Sequence, residues 1–265
     1  RWNFEDRLLA MERNKNILLI SLQIDLAIIG LKHLHYYLMQ NDYNSHFLVL
    51  PEFDSKNQRA FENLKEFVSR INPIFIGVSL LSVEYPRACD LCTDLKKYFP
   101  TTPIIWGGIH PTVAPETCFP FADYVCIGEG ERVILDFANA VSKGEDPRRI
   151  NNLCYLEDGQ IKKNLLYPLI GDLDSLPFGD HIPKSSFVQE GDGKISPIDR
   201  RIMKKYGRYQ DRFYDIITSL GCHLNCTFCS SPFLSRLYDS HRVRKRSLEN
   251  IIMELETAVR DYPFI

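Results

Sequence analysis

Three cysteines lie close together near the end of the chain. Cys222, Cys226 and Cys229 are separated by three and two residues in the string LGCHLNCTFCSSP. Thiolates at such spacing are typical ligands of a metal centre. Three ligands are one too few to close a tetrahedral structural site, but they suit a [4Fe–4S] cluster with one iron left open to a substrate or cofactor. The spacing therefore favours an iron–sulfur site.

A zinc site is the alternative, with His223 or His241 as a fourth ligand. Zinc modules usually contain two close pairs of ligands, and this part of the sequence supplies no second pair. Ordinary buried cysteines are less favoured, because the loop is polar and contains Asn225 and Ser230. The cluster is the preferred interpretation, and zinc stays open.

The cysteines follow an apolar segment that predicts a buried strand at residues 216–218, with Gly221 permitting a sharp turn at its end. Barrel enzymes place their chemistry at such strand ends. After the loop, apolar residues at helical spacing predict a helix that starts near Ser247; they are Leu248, Ile251, Ile252, Leu255 and Val259. Residues 214–265 are thus expected to form the first β/α unit of a barrel.

The first half of the chain alternates between apolar runs of strand length and helical patterns. Strands are predicted at residues 16–23, 46–50, 73–81, 103–106 and 123–127, and helices at 26–39, 58–71, 85–98 and 131–141. This alternation predicts an α/β fold with a doubly wound parallel sheet over residues 1–150, which should bind a ligand at the carboxyl ends of its strands. A hairpin and a long linker are expected over residues 151–213.

Two glycine-containing strings follow predicted strands, GGIHPT at residues 107–112 and GEGE at residues 128–131. Glycine permits a ligand to approach the backbone closely, although tight turns alone would explain these residues. Neither string is a Walker loop or a GxGxxG fingerprint, so nucleotide binding is not favoured.

Together these strings resemble the radical S-adenosylmethionine enzymes that carry an N-terminal cobalamin-binding domain. The cysteine loop has Phe228 directly before its third cysteine, and the cobalamin-domain resemblance covers about residues 16–141. Residues 173–178 are similar to the join between the two domains. The chain has Leu220 and His223 where relatives often have arginine and proline, which puts a local arginine contact in doubt.

The resemblance implies cofactor sites on specific residues. Cys222, Cys226 and Cys229 would bind the [4Fe–4S] cluster, and Phe228 would contact S-adenosylmethionine. Cobalamin would be contacted by strand-end residues, namely Ser79, Ser82, Gly107, Gly108, His110, Thr112, Gly128 and Glu129. The usual Asp-x-His-x-x-Gly cobalt-binding string is absent, so the cobalamin is expected base-off and His110 is not expected to bind cobalt. No catalytic residue is assigned.

The resemblance also implies an activity, methyl transfer to an unactivated carbon by way of a 5′-deoxyadenosyl radical. Cyclisation or rearrangement, with or without bound cobalamin, is the alternative within the same class. The implied partners are a small-molecule substrate and an electron donor of the flavodoxin or ferredoxin type. Six basic residues before the cysteine segment form a solvated face by default, or a contact for an acidic substrate or for such a donor; they are Arg200, Arg201, Lys204, Lys205, Arg208 and Arg212.

Composition excludes several other classes. The 265 residues have a net charge of −2 and are 45% hydrophobic, so nothing favours nucleic-acid binding. The eight cysteines do not form a secreted disulfide pattern, which indicates a reducing compartment such as the cytoplasm. No apolar run reaches the roughly 20 residues of a membrane span. The sequence begins without methionine and stops after one predicted β/α unit, so we expect a piece of a longer protein.

Overall fold

A mixed β-sheet is the centre of the fold. The computed structural model describes residues 14–208 and 212–262, and within them nine strands pair in the order β7-β6-β5-β4-β3-β1-β2-β8-β9. These strands are β1 Asn16–Ser21, β2 Asn44–Val49, β3 Ile76–Ser79, β4 Ile104–Gly107, β5 Tyr124–Cys126, β6 Leu153–Glu157, β7 Gln160–Lys163, β8 Ser186–Gln189 and β9 Ile195–Pro197. The neighbours from β5 through β8 in this order are parallel, and the pairs β5–β6, β6–β7 and β8–β9 are antiparallel.

Helices cover both faces of the sheet, as a doubly wound fold requires. They are α1 Ile29–Gln40, α2 Gln58–Ile71, α3 Tyr85–Tyr98, α4 Ile109–Val113, α5 Glu131–Ser142, α6 Arg200–Tyr206, α7 Ser231–Leu237 and α8 Leu248–Asp261. Short 3₁₀ turns occur at Ser82–Glu84, Pro115–Cys118, Pro147–Arg149 and Leu173–Ser175. In the part of the chain that the structure describes, no helix has the length and apolarity to span a membrane.

Strand β1 shows how the sequence produces two cores. Its residues from Ile17 to Ser21 are buried, and successive side chains point to opposite faces of the sheet. Leu18 belongs to the core formed with α2 and α3, whereas Leu19 belongs to the core formed with α1 and α5. This burial on both faces confirms the α/β class and the mostly parallel sheet predicted from the apolar runs.

The predicted hairpin after the parallel strands is also present. β6 and β7 pair antiparallel around Asp158 and Gly159, which both have positive φ values of 50° and 73°. Positive φ at both central residues is the geometry of a type I′ turn, which matches the right-handed twist of the two strands.

The expectation of a long linker over residues 151–213 is wrong in part, because this region contains two further strands and a helix. β8 extends the parallel sheet beside β2, β9 forms the sheet edge, and α6 follows with Asp199 as its N-cap. Strands of three or four residues are too short to produce a recognisable alternation of polar and apolar residues. The sequence pattern therefore did not reveal them.

The predicted first β/α unit of a barrel is not confirmed. Ile216 and Ile217 lie in irregular backbone and are only partly buried. The strand nearest the cysteines is β10 Ser219–Leu220, which pairs antiparallel with β11 Arg244–Lys245. The helix predicted next is present as α8, but most of its expected apolar stripe is exposed, with Leu248 at 65% and Val259 at 64%.

Candidate functional site

A cavity of about 590 Å³ opens at the carboxyl ends of the central parallel strands. Its walls include Gln23 after β1 and the strand-end residues 77–81, 107–109 and 128–131 of β3, β4 and β5. β2 and β3 lie on opposite sides of β1, so the cavity is at the point where the strand order reverses. Open α/β sheets bind their ligands at this place, and the volume is that of a ligand pocket.

Six of the residues predicted to contact cobalamin line this cavity; they are Ser79, Gly107, Gly108, Thr112, Gly128 and Glu129. Thr112 connects the two glycine-containing strings. Its hydroxyl donates to the carbonyl of Gly108 at 2.7 Å and accepts from the backbone N–H of Gly128 at 3.0 Å. Thr112 is buried, so this bridge fixes the two strand-end loops relative to each other.

The other two predicted contacts, Ser82 and His110, do not line the cavity. The Nδ1 of His110 is 3.1 Å from Ser82 Oγ, and its Nε2 is 3.0 Å from Thr117 Oγ1. The His110 ring also packs on Tyr85, with ring centroids 4.5 Å apart. Burial lowers the pKa of His110 below its usual value. Both ring nitrogens are thus occupied within the fold, which agrees with the expectation that His110 does not bind cobalt.

Glycines at the cavity have two different functions. A β-carbon at Gly108 would be 2.9 Å from the carbonyl oxygen of Leu80, and a β-carbon at Gly128 would overlap the ring and hydroxyl of Tyr238. Both of these glycines have positive φ. At Gly107 the nearest atom is Cys126 Cβ at 3.9 Å, and at Gly30 no atom is within 4 Å. The close approach predicted for Gly108 is therefore to protein backbone. A β-carbon at Gly107 would make an ordinary contact with Cys126, and one at Gly30 would face open space.

We predict that Gly108→Ala lowers the free energy of unfolding by more than about 1 kcal/mol, because alanine must adopt a positive φ and contact Leu80. Gly107→Ala is the matched control at the next position and should change stability little. Chemical denaturation of the two variants measures the difference. Equal stabilities would contradict the assignment of Gly108 to the fold.

The segment that carries the cysteines forms the opposite wall of the cavity. Leu220 and Gly221 precede the cysteine loop, Ser230 and Ser231 follow it, and all four line the cavity. Tyr238, at the end of α7, attaches this segment to the GEGE string. Its hydroxyl accepts from the backbone N–H of Glu129 at 2.8 Å and from Asn152 Nδ2 at 3.0 Å.

An ion pair provides a second attachment between the same parts of the chain. The guanidinium of Arg244, which is 6% exposed, pairs with the carboxylate of Glu129 through both of its terminal nitrogens. It also donates to the carbonyl of Ile170 at 2.7 Å. Because two nitrogens of the guanidinium bind the carboxylate, the pair fixes the relative orientation of the two side chains as well as the distance between them. The cysteine segment is therefore held over the strand ends.

The cysteine loop itself is irregular and accessible. Cys222 and Cys226 are partly buried and Cys229 is exposed. Backbone N–H groups of Leu224 and Ser231 lie 3.4 Å from the sulfurs of Cys222 and Cys229. Hydrogen bonds from the side chain and backbone of Ser231 lower the pKa of Cys229, which favours the ligating thiolate form.

The structure does not bring the three predicted ligands together as a metal centre. Among the described residues, no group of three or more His, Cys, Asp or Glu side chains is arranged to hold a metal ion. The hydrogen bonds of the loop connect near neighbours, such as Cys229 N–H to the carbonyl of Cys226 at 3.2 Å. Phe228 is 91% exposed and does not line the cavity, so its contact with S-adenosylmethionine stays a prediction.

Sequence reasoning did not identify several cavity residues. Ile29 and Leu34 of α1 form part of the wall, as do Tyr238, Glu131 and Arg244. The α1 residues belong to the helix predicted over residues 26–39, where apolar side chains at helical spacing indicate core packing and not a ligand. Arg244 lies within a run of basic residues, and a run of charges indicates a solvated surface unless its partner is known.

Cobalamin fits the residues at this cavity. The wall is largely apolar and includes aliphatic side chains from α1, β1 and β4, and Gly30 presents backbone that no protein atom covers. Buried polar atoms of Glu131 and Arg244 lack a hydrogen-bond partner in the described residues. The cysteine loop fits an iron–sulfur cluster by its donor chemistry, since it offers three accessible thiols with N–H groups near two sulfurs.

Comparisons with known proteins match the first half of this chain to a cobalamin-binding family. Residues 15–138 match the family model of the B12 binding domain. An uncharacterized methyltransferase of Pyrococcus horikoshii is 28% identical over 206 residues, which are 77% of this chain and 40% of that protein. An anaerobic magnesium-protoporphyrin IX monomethyl ester cyclase of Synechocystis sp. is 27% identical over 184 residues, which are 68% of this chain and 33% of that protein.

A solved structure has the same fold. The structure of the cobalamin-dependent S-adenosylmethionine radical enzyme OxsB with aqua-cobalamin bound aligns with a TM-score of 0.70 at 16% identity, over 98% of this chain and 34% of that chain. The chain thus spans 33–40% of the length of the curated relatives described above. The part of the predicted resemblance that concerns a cobalamin-binding domain is confirmed by the family match over residues 15–138, and the solved structure shares the fold.

Proposed function

We propose that this chain is the cobalamin-binding part and the cluster-binding segment of a radical S-adenosylmethionine enzyme that transfers a methyl group to an unactivated carbon. The proposal divides the chain into a cobalamin-binding domain over residues 1–150, a connecting region over 151–213, and the beginning of the radical domain over 214–265. Its substrate is a small molecule, and its electron donor is a protein of the flavodoxin or ferredoxin type.

One observation carries the proposal: both ends of the cysteine loop line the cavity at the strand ends. Gly221 lies directly before Cys222, and Ser230 directly follows Cys229. A cluster held by this loop would therefore be adjacent to a ligand of the B12 binding domain. This adjacency is what chemistry using both cofactors on one substrate requires, because positioning of reactants supplies much of an enzyme's rate enhancement.

In this enzyme the residues of the chain would have separate functions. Cys222, Cys226 and Cys229 hold the cluster, and Phe228 contacts S-adenosylmethionine. When bound, the cluster supplies the electron that cleaves S-adenosylmethionine, and cobalamin carries the methyl group. Arg244 and Tyr238 hold the cysteine segment against the strand-end loops through Glu129. The apolar wall from α1 would cover one side of the bound ligand and limit its contact with water.

A second function is favoured by one of the relatives. The Synechocystis relative is named a cyclase, so the same arrangement of segments is compatible with radical cyclisation or rearrangement. In that case cobalamin bound in the cavity need not carry a methyl group.

We expect methyl transfer from S-adenosylmethionine to cobalamin on the full-length protein. The protein is incubated without oxygen with hydroxocobalamin, a chemical reductant and S-adenosylmethionine labelled in its methyl group, and the cobalamin is separated by chromatography. Label in the cobalamin fraction supports methyl transfer. Formation of 5′-deoxyadenosine with all of the label still in S-adenosylmethionine or methionine would contradict it and favour the cyclase function.

A further inference from the structure

Two polar atoms at the cavity are buried and have no hydrogen-bond partner among the described residues. They are Nε of Arg244 and Oε2 of Glu131, and both residues belong to the cavity wall. A buried donor or acceptor without a partner destabilises a protein, so native structures seldom retain one without a ligand or water to complete it. Here one atom is a donor and the other belongs to a carboxyl group.

Nε is the one guanidinium nitrogen of Arg244 that makes no hydrogen bond among the described residues. Its Nη1 donates to Glu129 Oε2 at 3.1 Å and to the carbonyl of Ile170 at 2.7 Å, and its Nη2 donates to Glu129 Oε1. The guanidinium is planar and its donors have fixed directions. The contacts with Glu129 and Ile170 therefore fix the position of the remaining Nε–H.

Glu131 is the first residue of α5 and lies two residues after Glu129. Burial is the main cause of a raised pKa at this carboxyl; Glu129 raises it further, whereas Arg244 lowers it. Backbone N–H groups of Gly130 and Glu131 also act on this carboxyl group and lower its pKa, but its Oε2 atom is buried without a hydrogen-bond partner among the described residues. The cavity wall therefore contains two unpartnered polar atoms from different parts of the chain, Oε2 of Glu131 and Nε of Arg244.

We propose that Arg244 Nε and Glu131 Oε2 bind one primary carboxamide of the ligand in this cavity. The carboxamide oxygen accepts from the Nε–H of Arg244, and the carboxamide N–H donates to Oε2 of Glu131. This assignment rests on the proposed function, because the corrin ring of cobalamin carries primary carboxamides around its edge.

The two groups select a neutral amide over charged ligands. A carboxylate would accept from Arg244 but offers no N–H to Oε2 of Glu131, and an ammonium group would be repelled by Arg244. A hydroxyl can donate or accept, but a carboxamide presents a donor and an acceptor that are separated and coplanar. Recognition of this kind discriminates strongly, since a mismatched ligand leaves buried polar groups unpaired.

The experiment measures the affinity of the chain for hydroxocobalamin and for its monocarboxylic acids, in each of which one carboxamide has been hydrolysed. Wild type is compared with Glu131→Leu and Glu131→Gln, with the absorption spectrum of the corrin as the readout. Glu145→Gln is the control, because it removes a carboxylate from an exposed position just beyond the other end of α5. Thermal unfolding of each variant is recorded in parallel.

We expect Glu131→Leu to weaken hydroxocobalamin binding about ten- to a hundredfold, because it leaves the amide N–H without a partner. Glu131→Gln retains an acceptor oxygen and should lose less than about tenfold. Glu131→Leu should be as stable as wild type or more stable, since it removes a buried unpartnered carboxyl oxygen. A loss of affinity without a loss of stability separates ligand binding from a structural role.

One monocarboxylic acid should bind wild type at least about tenfold more weakly than hydroxocobalamin does, and Glu131→Gln should bind the two alike. Unchanged affinity of Glu131→Leu, with all the acids bound equally, would overturn the assignment and leave water as the partner of the two atoms. Failure of wild type to bind hydroxocobalamin would overturn the proposed function itself, and the carboxamide site with it.

Discussion

Replacing Cys226 with alanine should remove the iron–sulfur cluster and, in the full-length protein, all reductive cleavage of S-adenosylmethionine. Three thiolates leave one iron open, whereas two thiolates in a loop of irregular backbone are too few to hold the cluster. After anaerobic reconstitution, wild type should contain about four irons per chain and be brown, and the variant should be colourless. Iron analysis, the visible spectrum and the yield of 5′-deoxyadenosine measure the effect.

Cys89→Ala is the matched control. Cys89 is partly buried on α3, outside the cysteine loop, and burial raises its pKa. Its replacement should leave iron content and cleavage unchanged. Cleavage retained by Cys226→Ala would contradict the cluster assignment. A colourless wild-type protein that binds zinc at Cys222, Cys226 and Cys229 would favour the zinc alternative.

The central sheet was predictable because its strands are buried on both faces. The runs that became β1, β3 and β4 are continuously apolar, and the helical stripe with Phe61 and Leu64 became the buried face of α2. The hairpin was predictable from its Asp-Gly turn, since few residues accept positive φ. These features depend on local sequence alone.

The segment that carries the cysteines was less predictable because its contacts are distant in sequence. Tyr238 contacts Glu129 across 109 positions, and Arg244 contacts Glu129 across 115. No local pattern identifies such partners. The three-residue strand β9 and two-residue strand β10 are likewise defined by pairing and not by periodicity.

Because these partners are distant in sequence, the sequence predicted only one of the two walls of the cavity. The strand-end glycines indicated where a ligand would bind, but Gly108 and Gly128 are required by Leu80 and Tyr238. The polar atoms available to a ligand belong to Glu131 and Arg244. One wall of the cavity comes from the strand ends and the other from the segment after the cysteines. Its chemistry is therefore set by residues that sequence spacing does not connect.

The central claim is that cobalamin binds at the strand ends. This binding has specific steric requirements. Gly30 lines the cavity, and a β-carbon there would meet no atom within 4 Å. A large side chain at this position can therefore occupy space intended for the ligand without displacing protein. Gly30→Phe should prevent binding, whereas Gly30→Ala should retain it, and both variants should fold because alanine and phenylalanine are better helix formers than glycine.

The most direct measurement is a titration of wild-type protein with hydroxocobalamin, followed by its absorption spectrum. We predict saturable binding with the spectrum of the base-off form, and the same spectrum for His110→Ala, since both ring nitrogens of His110 are engaged within the fold. Gly30→Phe should show no spectral change. An unchanged spectrum of hydroxocobalamin with wild type, even at high micromolar concentration, would contradict the cobalamin site and the methyl transfer that depends on it.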